Sequence, residues 1–314
     1  YHILLEKPMA PTPEACRNIV NAAKQADSVF AVCHVMRYTR YTRQLKELLE
    51  AGTIGEIVNI QHFEPVGFWH QAHSFVRGNW RNEAESTFML LAKSCHDIDW
   101  LSHVIGAPCR KVSSFGSLFH FRRENQPKGA ADRCLDCAVE ADCPYSAKRF
   151  YGERLAKKEH GWPLDVLIDE FTPESLEKAL REGPYGRCVY ACDNDVVDQQ
   201  VVNLEYANGS TASFTMSAFN HGAGRMTRIG GTHSFIESDS SAIKLFDYMK
   251  REWREVDTEA SDHSILGGHG GGDGGIMEAF THAVATGDRS PILSGPDATL
   301  ESHLTVFAAE DARR

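Results

Sequence analysis

The chain has 314 residues, of which 42% are hydrophobic and 24% are charged, and its formal net charge is -10. This balance is ordinary for a globular protein with one or two hydrophobic cores. The acidic charge, without a basic block or an arginine-rich stripe, argues against a nucleic-acid partner and against an anionic membrane surface.

The first elements predicted along the chain are a strand, a helix and a second strand. Ile3–Leu5 is short and apolar, and Thr12 is a suitable N-cap for a helix that begins at Pro13. Val29–Met36 is almost continuously apolar, as in a parallel strand covered on both faces. This longest apolar run is interrupted by His34 and is far too short to cross a bilayer. One such unit is too small for a whole nucleotide-binding sheet, so we interpret it as the end of one.

The middle of the chain alternates between predicted helices and strands. In chain order these are a helix through Leu45 and Leu49 that stops at Gly52, a strand at Glu56–Phe63, a polar loop at Val66–Asn82, a helix at Lys93–Ile105 and a strand at Val112–Phe121. Between Arg122 and Arg187 the pattern is irregular, charged and cysteine-bearing. This composition favours an insertion or a lid over a core element.

The last third of the chain is richer in predicted β-structure. Asn208-Gly209, between Gln200–Tyr206 and Thr211–Phe219, is the strongest short-range signal for a β-hairpin. Further strands are predicted at Met226–Ile229, Ser234–Glu237 and Ile243–Tyr248, and closing helices at Ile276–Ala285 and Ala298–Ala309. Strands linked by hairpins imply an antiparallel sheet, and the adjacent helices would cover one of its faces.

Several of these features, in this order, resemble the Gfo/Idh/MocA oxidoreductases (glucose–fructose oxidoreductase and inositol dehydrogenase). They are Glu6-Lys7-Pro8 after a short strand, Arg37-Tyr38 after the second strand, a helix with His96-x-x-Asp99, and the late antiparallel sheet. Glu-Lys-Pro alone would be a weak signal, and the ordered set is more specific.

The resemblance implies an α/β (α+β) fold in which a Rossmann domain precedes a mixed domain. Because no G-x-G-x-x-G turn follows a strand, the main phosphate-binding turn is missing, and we interpret the chain as N-terminally truncated. We expect residues 1–38 to be the remnant of a Rossmann parallel sheet. Residues 39–314 would form the substrate-binding domain, with a large, mainly antiparallel open sheet flanked by helices and a cysteine-bearing insertion at about 122–187.

The resemblance also implies a function. The expected activity is an NAD- or NADP-dependent hydride transfer between a sugar or cyclitol hydroxyl or carbonyl and nicotinamide. Lys7 would orient the reacting hydroxyl, and His96 would exchange its proton. Glu6, Lys7, Pro8 and Arg37 would contact the cofactor.

The position four residues before His96, a carboxylate in the family, is Ala92 here. Lys93 lies three residues before His96, so a continuous helix would place both on one face. Because a nearby ammonium lowers the pKa of a histidine, we expect a catalytic site of Lys7, Lys93 and His96. One alternative is that Lys7 is an ordinary strand-end lysine and His96 a surface histidine. The other is a metal ion bound by His96, Asp99 and His103 on one face of the helix.

Cysteines are clustered in the insertion. Cys134, Cys137 and Cys143 lie within ten residues, and Cys188 or Cys192 is available as a fourth ligand. Four thiolates around one ion suit structural Zn²⁺, which would stabilise an insertion with few apolar residues. An iron–sulfur cluster matches the spacing less well, and free thiols in a loop are the simplest alternative.

Cysteine usage also bears on location. Nine cysteines, an odd number of which five are unclustered, fit a reducing compartment better than a disulfide framework. No basic segment followed by an apolar stretch opens the chain, so no signal peptide is expected. We therefore expect a cytoplasmic protein.

Polar and aromatic loops are candidates for binding a sugar or polyol. The candidate side chains are Arg77, Trp80, Asp195, His269 and Asp273. The last two lie in the glycine-rich segment 267–275, which lacks the phosphate-loop pattern. Each loop could equally be solvated, and the glycine-rich segment could be a flexible connector.

The expected partners are a small sugar or polyol and further copies of the chain. The resemblance implies a homodimer or homotetramer formed through the open sheet. The alternative function, from another class, is a non-catalytic, zinc-stapled binding or oligomerisation protein.

Overall fold

The N-terminal elements form the predicted strand–helix–strand unit. A computed structural model describes residues 1–222, 224–257 and 268–314. Strand β1 (Ile3–Leu5) pairs in parallel with β2 (Phe30–Val32), and α1 (Pro13–Gln25) connects them. The Thr12 hydroxyl accepts a hydrogen bond from the backbone N–H of Ala15, which satisfies one of the free donors at the start of α1. β2 is shorter than predicted because a 3₁₀ turn follows it.

The remaining helical segments lie between and after the strands. They are the 3₁₀ turn Val35–Tyr38, α2 (Arg40–Glu50), α3 (Phe68–His70, continued by the π-helix Gln71–Arg77), α4 (Met89–Ala92), α5 (Cys95–Ile105), α6 (Ala147–Ala156), α7 (Pro173–Glu182), α8 (Gly268–Thr286) and α9 (Pro296–Arg313). None of these helices, in the part of the chain that is described, is long and apolar enough to span a membrane.

Eight strands of the described residues form one mixed sheet. They are β3 (Ile57–Pro65), β4 (Cys109–Ser117), β5 (Gln199–Tyr206), β6 (Thr211–Ser217), β7 (Met226–Gly231), β8 (Ser234–Ser238), β9 (Ala242–Asp247) and β10 (Glu252–Asp257). Their order is β10-β9-β8-β7-β3-β6-β5-β4. Neighbours are antiparallel except β3 and β6, which run parallel. The predicted hairpin is β5–β6, with Val202 opposite Phe214.

One face of this sheet carries the main core and the other is open. Along β5 and β6, alternate side chains such as Leu204 and Met216 are buried in the same core cluster as Trp100 of α5. On the opposite face, Met226 of β7 is 55% exposed. The large open sheet with helices on one side confirms the predicted fold class.

Besides β2, the predicted and the observed elements differ at three further places. Val66–Asn82, expected to be a loop, contains the helical run 68–77. The helix expected at Lys93–Ile105 begins at Cys95, because α4 ends at Ala92 and the chain bends at Lys93 and Ser94. β10 was not predicted.

The insertion has a small core of its own. Buried apolar side chains of α6 and α7 pack together with the segment between them: Ala147, Tyr151, Leu164, Ile168, Leu176 and Leu180. The segment before α6 consists largely of single 3₁₀ turns, as expected for its irregular sequence.

The C-terminal region holds the N-terminal unit in place. The backbone N–H of Met9 donates to Nε2 of His303 in α9 at 3.0 Å. The backbone N–H of Val32 donates to the carbonyl of Ser294 at 3.1 Å. The parallel pair β1–β2 is therefore completed by residues from the far end of the chain.

Candidate active site

Lys7 lies just after the carboxyl end of β1. Its Nζ donates a hydrogen bond to the carbonyl oxygen of Ala92 at 3.2 Å. The position where the resemblance expects a carboxylate thus contributes a backbone oxygen instead. A carbonyl orients the ammonium but leaves its full positive charge unneutralised.

His96 lies in the first turn of α5, within electrostatic reach of Lys7. Burial lowers the pKa of His96 well below its ordinary value, and the positive charge of Lys7 lowers it further. Nδ1 of His96 is buried and has no hydrogen-bond partner among the described residues. The imidazole is therefore neutral near pH 7 and can accept a proton.

Lys93 does not have the predicted relation to His96. Lys93 lies in the bend before α5, and its Nζ pairs with Oε1 of Glu64 at 3.2 Å. Lys93 instead acts on His70, whose pKa is lowered to about 3 by burial first and by Lys93 next. The prediction that Lys93 and His96 share one helix face is wrong, because α5 begins two residues after Lys93.

A charged network next to His96 was missed by the sequence reasoning. Arg225 Nε lies 2.5 Å from Oδ1 of Asp97 and 3.0 Å from Oε2 of Glu64. Nε2 of His62 lies 3.0 Å from the same Asp97 oxygen. Burial alone would raise the pKa of Asp97, but Arg225 and His62 hold it below its usual range. No local sequence signal indicates Arg225, which is 128 positions away from Asp97.

Arg37 and Asp99 form a second buried pair. Nε and Nη2 of Arg37 bind the two carboxylate oxygens of Asp99, each at 2.7 Å, and Nη1 donates to the carbonyl of Leu293 at 2.6 Å. Arg37 is only 4% exposed, so its three bonds serve protein packing. The guanidinium group of Arg37 therefore presents no accessible edge for the predicted contact with the cofactor.

The buried His34 lies on the other side of Asp99. Its Nδ1 is 3.5 Å from Oδ2 of Asp99, within ion-pair range but without hydrogen-bond geometry, since both ring nitrogens lack a partner among the described residues. Burial lowers the pKa of His34 to about 3 despite the nearby carboxylate. With Asp99 engaged by Arg37, the alternative metal set of His96, Asp99 and His103 is not assembled in the described residues.

The glycine-rich segment reaches the same site. The ring of His269 lies 6.5 Å from that of His96, and its Nδ1 is 2.9 Å from Oδ2 of Asp273. A Cβ on Gly272 would lie 2.4 Å from the carbonyl oxygen of Val35, so glycine is needed for this close packing. Gly267 lies outside the described residues. Of the predicted substrate residues, His269 thus lies beside His96, and Asp273 contacts His269.

Glu6 and Asp273 both lie near Cys33, the residue directly after β2. Burial raises the pKa of the Cys33 thiol to about 12, and the negative charges of Glu6 and Asp273 contribute. The carboxyl ends of β1 and β2 therefore face the glycine-rich segment. Lys7 and Pro8 follow β1 at this edge.

The other predicted substrate residues belong to different surroundings. Arg77 is buried and donates to the carbonyl oxygens of Arg187 and Tyr145, so it holds the insertion. Trp80 is 43% exposed. Asp195 accepts a hydrogen bond from the backbone N–H of Glu83 at 2.8 Å and so joins two loops. Arg77 is not available to a sugar, because it is 3% exposed and its Nε and Nη2 groups donate within the protein.

The four predicted metal ligands lie around one small cavity. Cys134, Cys137, Cys143 and Cys188 all line it. As the side chains stand, no group of three or more His, Cys, Asp and Glu in the described ranges is arranged to hold a metal ion.

Comparison with known proteins gives matches over most of the chain. The model of the Gfo/Idh/MocA oxidoreductase family, C-terminal alpha/beta domain, matches residues 46–313. YteT of Bacillus subtilis strain 168, an oxidoreductase by name, is 24% identical over 308 residues, which is 94% of this chain and 70% of YteT. The 2,7-anhydro-N-acetylneuraminate hydratase of Escherichia coli K12 is 29% identical over 185 residues, 58% of this chain and 46% of the hydratase.

A solved structure shows the same fold at low sequence identity. It is an oxidoreductase from Agrobacterium radiobacter in complex with NAD⁺, L-tartaric acid and magnesium. The TM-score is 0.64 at 13% identity, and the match covers 99% of this chain and 70% of the other.

Proposed function

This chain belongs to the Gfo/Idh/MocA oxidoreductase family, and from that premise we propose that it is the catalytic, substrate-binding part of an NAD(P)-dependent oxidoreductase. The substrate would be a hydroxyl or carbonyl of a sugar or cyclitol. The name of the Escherichia coli relative, a sugar-derivative hydratase, supports a carbohydrate-type substrate. The observation that carries the proposal is the approach of Lys7 and His96, 89 positions apart, to one site.

The residues present fit the nicotinamide end of a dinucleotide cofactor. Ligands of parallel sheets bind beyond the carboxyl ends of the strands, and this is where Glu6, Lys7 and Pro8 follow β1. The buried Nδ1 of His96 beside them lacks a partner among the described residues. When bound, nicotinamide supplies the hydride acceptor or donor. The cofactor contacts proposed from this chain are Glu6, Lys7 and Pro8.

The protein groups handle the proton of the alcohol. Oxidation of a secondary alcohol requires a base for the hydroxyl proton and a positive charge that favours the developing alkoxide. His96 is neutral and accepts the proton, and the Lys7 ammonium, held by the Ala92 carbonyl, stabilises the oxygen. In the reverse direction His96 returns the proton to the carbonyl oxygen.

A direct test uses the full-length parent protein and a panel of sugars, sugar acids and cyclitols. Formation of NADH or NADPH is followed by absorbance, with either cofactor in turn. Turnover of at least one carbohydrate that depends on Lys7 supports the proposal. Equal turnover by the wild type and Lys7→Gln would contradict it.

The Ala92 position gives a more specific prediction. In Ala92→Asp, the new carboxylate would pair with Lys7 and weaken the effect of Lys7 on His96, so the pKa of His96 rises. The acidic limb of kcat/KM for alcohol oxidation is therefore expected to move up by about one pH unit. The measurement is a pH profile between pH 5 and 9 of wild type, Ala92→Asp and the neutral control Ala92→Asn. An unchanged limb in Ala92→Asp would show that Lys7 does not set the protonation of His96.

We also propose that the open face of the sheet mediates self-association. This face carries the exposed apolar side chains Met226 and Phe115 on two strands. A charge at its centre would be buried on association, at a cost of several kcal/mol. Met226→Lys is therefore expected to shift a dimer or tetramer to monomer in analytical ultracentrifugation. A wild-type protein that is already monomeric at micromolar concentration would rule this interface out.

A further inference from the structure

The cysteine cluster of the insertion lies outside the site described above. Cys134, Cys137, Cys143 and Cys188 line a cavity of about 20 Å³. That volume is enough for about one occupant of the size of a water molecule. The four cysteines are free thiols, and Cys134 and Cys188 are buried.

The backbone brings these residues together from two separate segments. Arg133 and Arg187, each directly before a cysteine of the cluster, form an isolated antiparallel β-bridge. The backbone N–H of Cys137 donates to the carbonyl of Cys134 at 3.4 Å, in a tight turn that folds the C-x-x-C segment back on itself. A second turn ends at Cys143, whose N–H donates to the carbonyl of Glu140 at 3.1 Å. Tight turns of this kind let cysteines three positions apart ligate one ion.

A buried positive charge adjoins the cluster. Arg77 is 3% exposed, and its Nη2 lies 3.6 Å from Sγ of Cys134. Its other hydrogen bonds go to two backbone carbonyls, and it forms no ion pair with a carboxylate of the described residues. A buried cation is strongly unfavourable without a counter-ion. Thiolates are the anionic groups that this environment offers.

A second donor faces the other buried cysteine. Nε2 of Gln126 lies 3.7 Å from Sγ of Cys188. Amide and guanidinium N–H groups directed at sulfur are typical outer partners of metal-bound thiolates. Both buried sulfurs of the cluster therefore have such a donor.

We propose that Cys134, Cys137, Cys143 and Cys188 bind one Zn²⁺ ion as a tetrahedral, structural site. One Zn²⁺ and four thiols give a tetrathiolate complex of net charge -2 and release four protons. This complex supplies the counter-charge for Arg77. Because the side chains are not in coordinating positions, zinc binding requires thiols of the cluster to move toward one another.

The zinc site would also stabilise structure outside the insertion. Arg77 ends the π-helical segment Gln71–Arg77, and His73 of that segment hydrogen-bonds the hydroxyl of Tyr151 in α6 at 2.7 Å. The zinc-bound loop would thereby hold the helix that carries His70 near Lys93. Its role is structural, since the cluster contacts neither Lys7 nor His96 in the described residues.

The test measures metal content of the purified chain, produced without a metal-binding tag and kept reduced. Elemental analysis is expected to give about one zinc per chain, as four thiolates fill a structural site. Cobalt substitution is expected to give the visible absorption of a tetrahedral thiolate complex. Cys137→Ser and Cys188→Ser are each expected to lose most of the zinc. The matched control Cys192→Ser, in the same loop as Cys188 but outside the cavity lining, is expected to keep it.

Three outcomes would overturn the proposal. They are no stoichiometric metal after reconstitution of the reduced wild type with zinc, stoichiometric iron with acid-labile sulfide, and retention of zinc in Cys137→Ser. If the serine variants fail to fold, the wild type decides: a chelator should remove its zinc and lower its thermal midpoint, and added zinc should restore it. A midpoint insensitive to both would contradict a structural site.

Discussion

Replacing His96 with alanine in the full-length protein is expected to lower kcat by about 10²- to 10⁴-fold, the range typical of a lost general base. The wild-type kcat/KM for alcohol oxidation should stay flat from pH 7 down to about pH 6, below the ordinary histidine pKa of about 6.5, with its acidic limb at lower pH. The reason is that burial and Lys7 lower the pKa of His96, so the imidazole remains unprotonated at pH 6.

The control for this change is His282→Ala. His282 lies in α8 with a side chain 49% exposed, so its loss tests a generic histidine deletion. Circular dichroism and thermal unfolding should be the same for both variants and the wild type. If His96→Ala keeps wild-type kcat, or if both variants lose activity equally, His96 is not the base.

The second large effect concerns stability. Arg37→Met removes the bidentate partner of the fully buried Asp99, so the free energy of unfolding is expected to fall by about 3–5 kcal/mol at pH 7. Burial alone would raise the pKa of Asp99, but His34 and Arg37 together hold it below its usual value. A carboxylate with a depressed folded-state pKa stabilises the protein above its unfolded pKa of about 3.9, and this contribution is lost as pH falls.

The difference between wild type and Arg37→Met should therefore be largest near neutral pH and should shrink at about pH 3. Urea unfolding at both pH values measures it, with the exposed Arg43→Met on α2 as the matched control. A loss below about 1 kcal/mol, the value of a surface pair, would contradict a structural role for Arg37. A raised KM for the cofactor with unchanged stability would instead restore the predicted cofactor contact.

Features with local causes were accessible from the sequence. The Thr12–Pro13 helix start, the Asn208-Gly209 hairpin and the alternating strands depend on neighbouring residues, and the structure has all three. Lys7 and His96 were found only through the ordered motifs of a family, because no local pattern links positions so far apart. The family and the fold class are confirmed, and the roles of these two residues stay predictions.

Features that depend on distant packing were not accessible. Every residue of the π-helix Gln71–Arg77 is buried, so this segment lacks the one-sided apolar stripe by which a helix is recognised. Lys93 was placed on the His96 helix because the bend at Lys93 and Ser94 has no glycine or proline to indicate it. Arg225 is defined by partners on β3 and α5, which only the folded chain brings together.

The hydrogen bonds from the N-terminal unit to α9 and Ser294 affect when this unit can fold during translation. During synthesis these contacts cannot form until residues 294–303 have left the ribosome. Because Lys7 follows the first strand of this unit, catalytic competence is expected to be among the last properties that the new chain acquires, and premature release should yield products prone to aggregation.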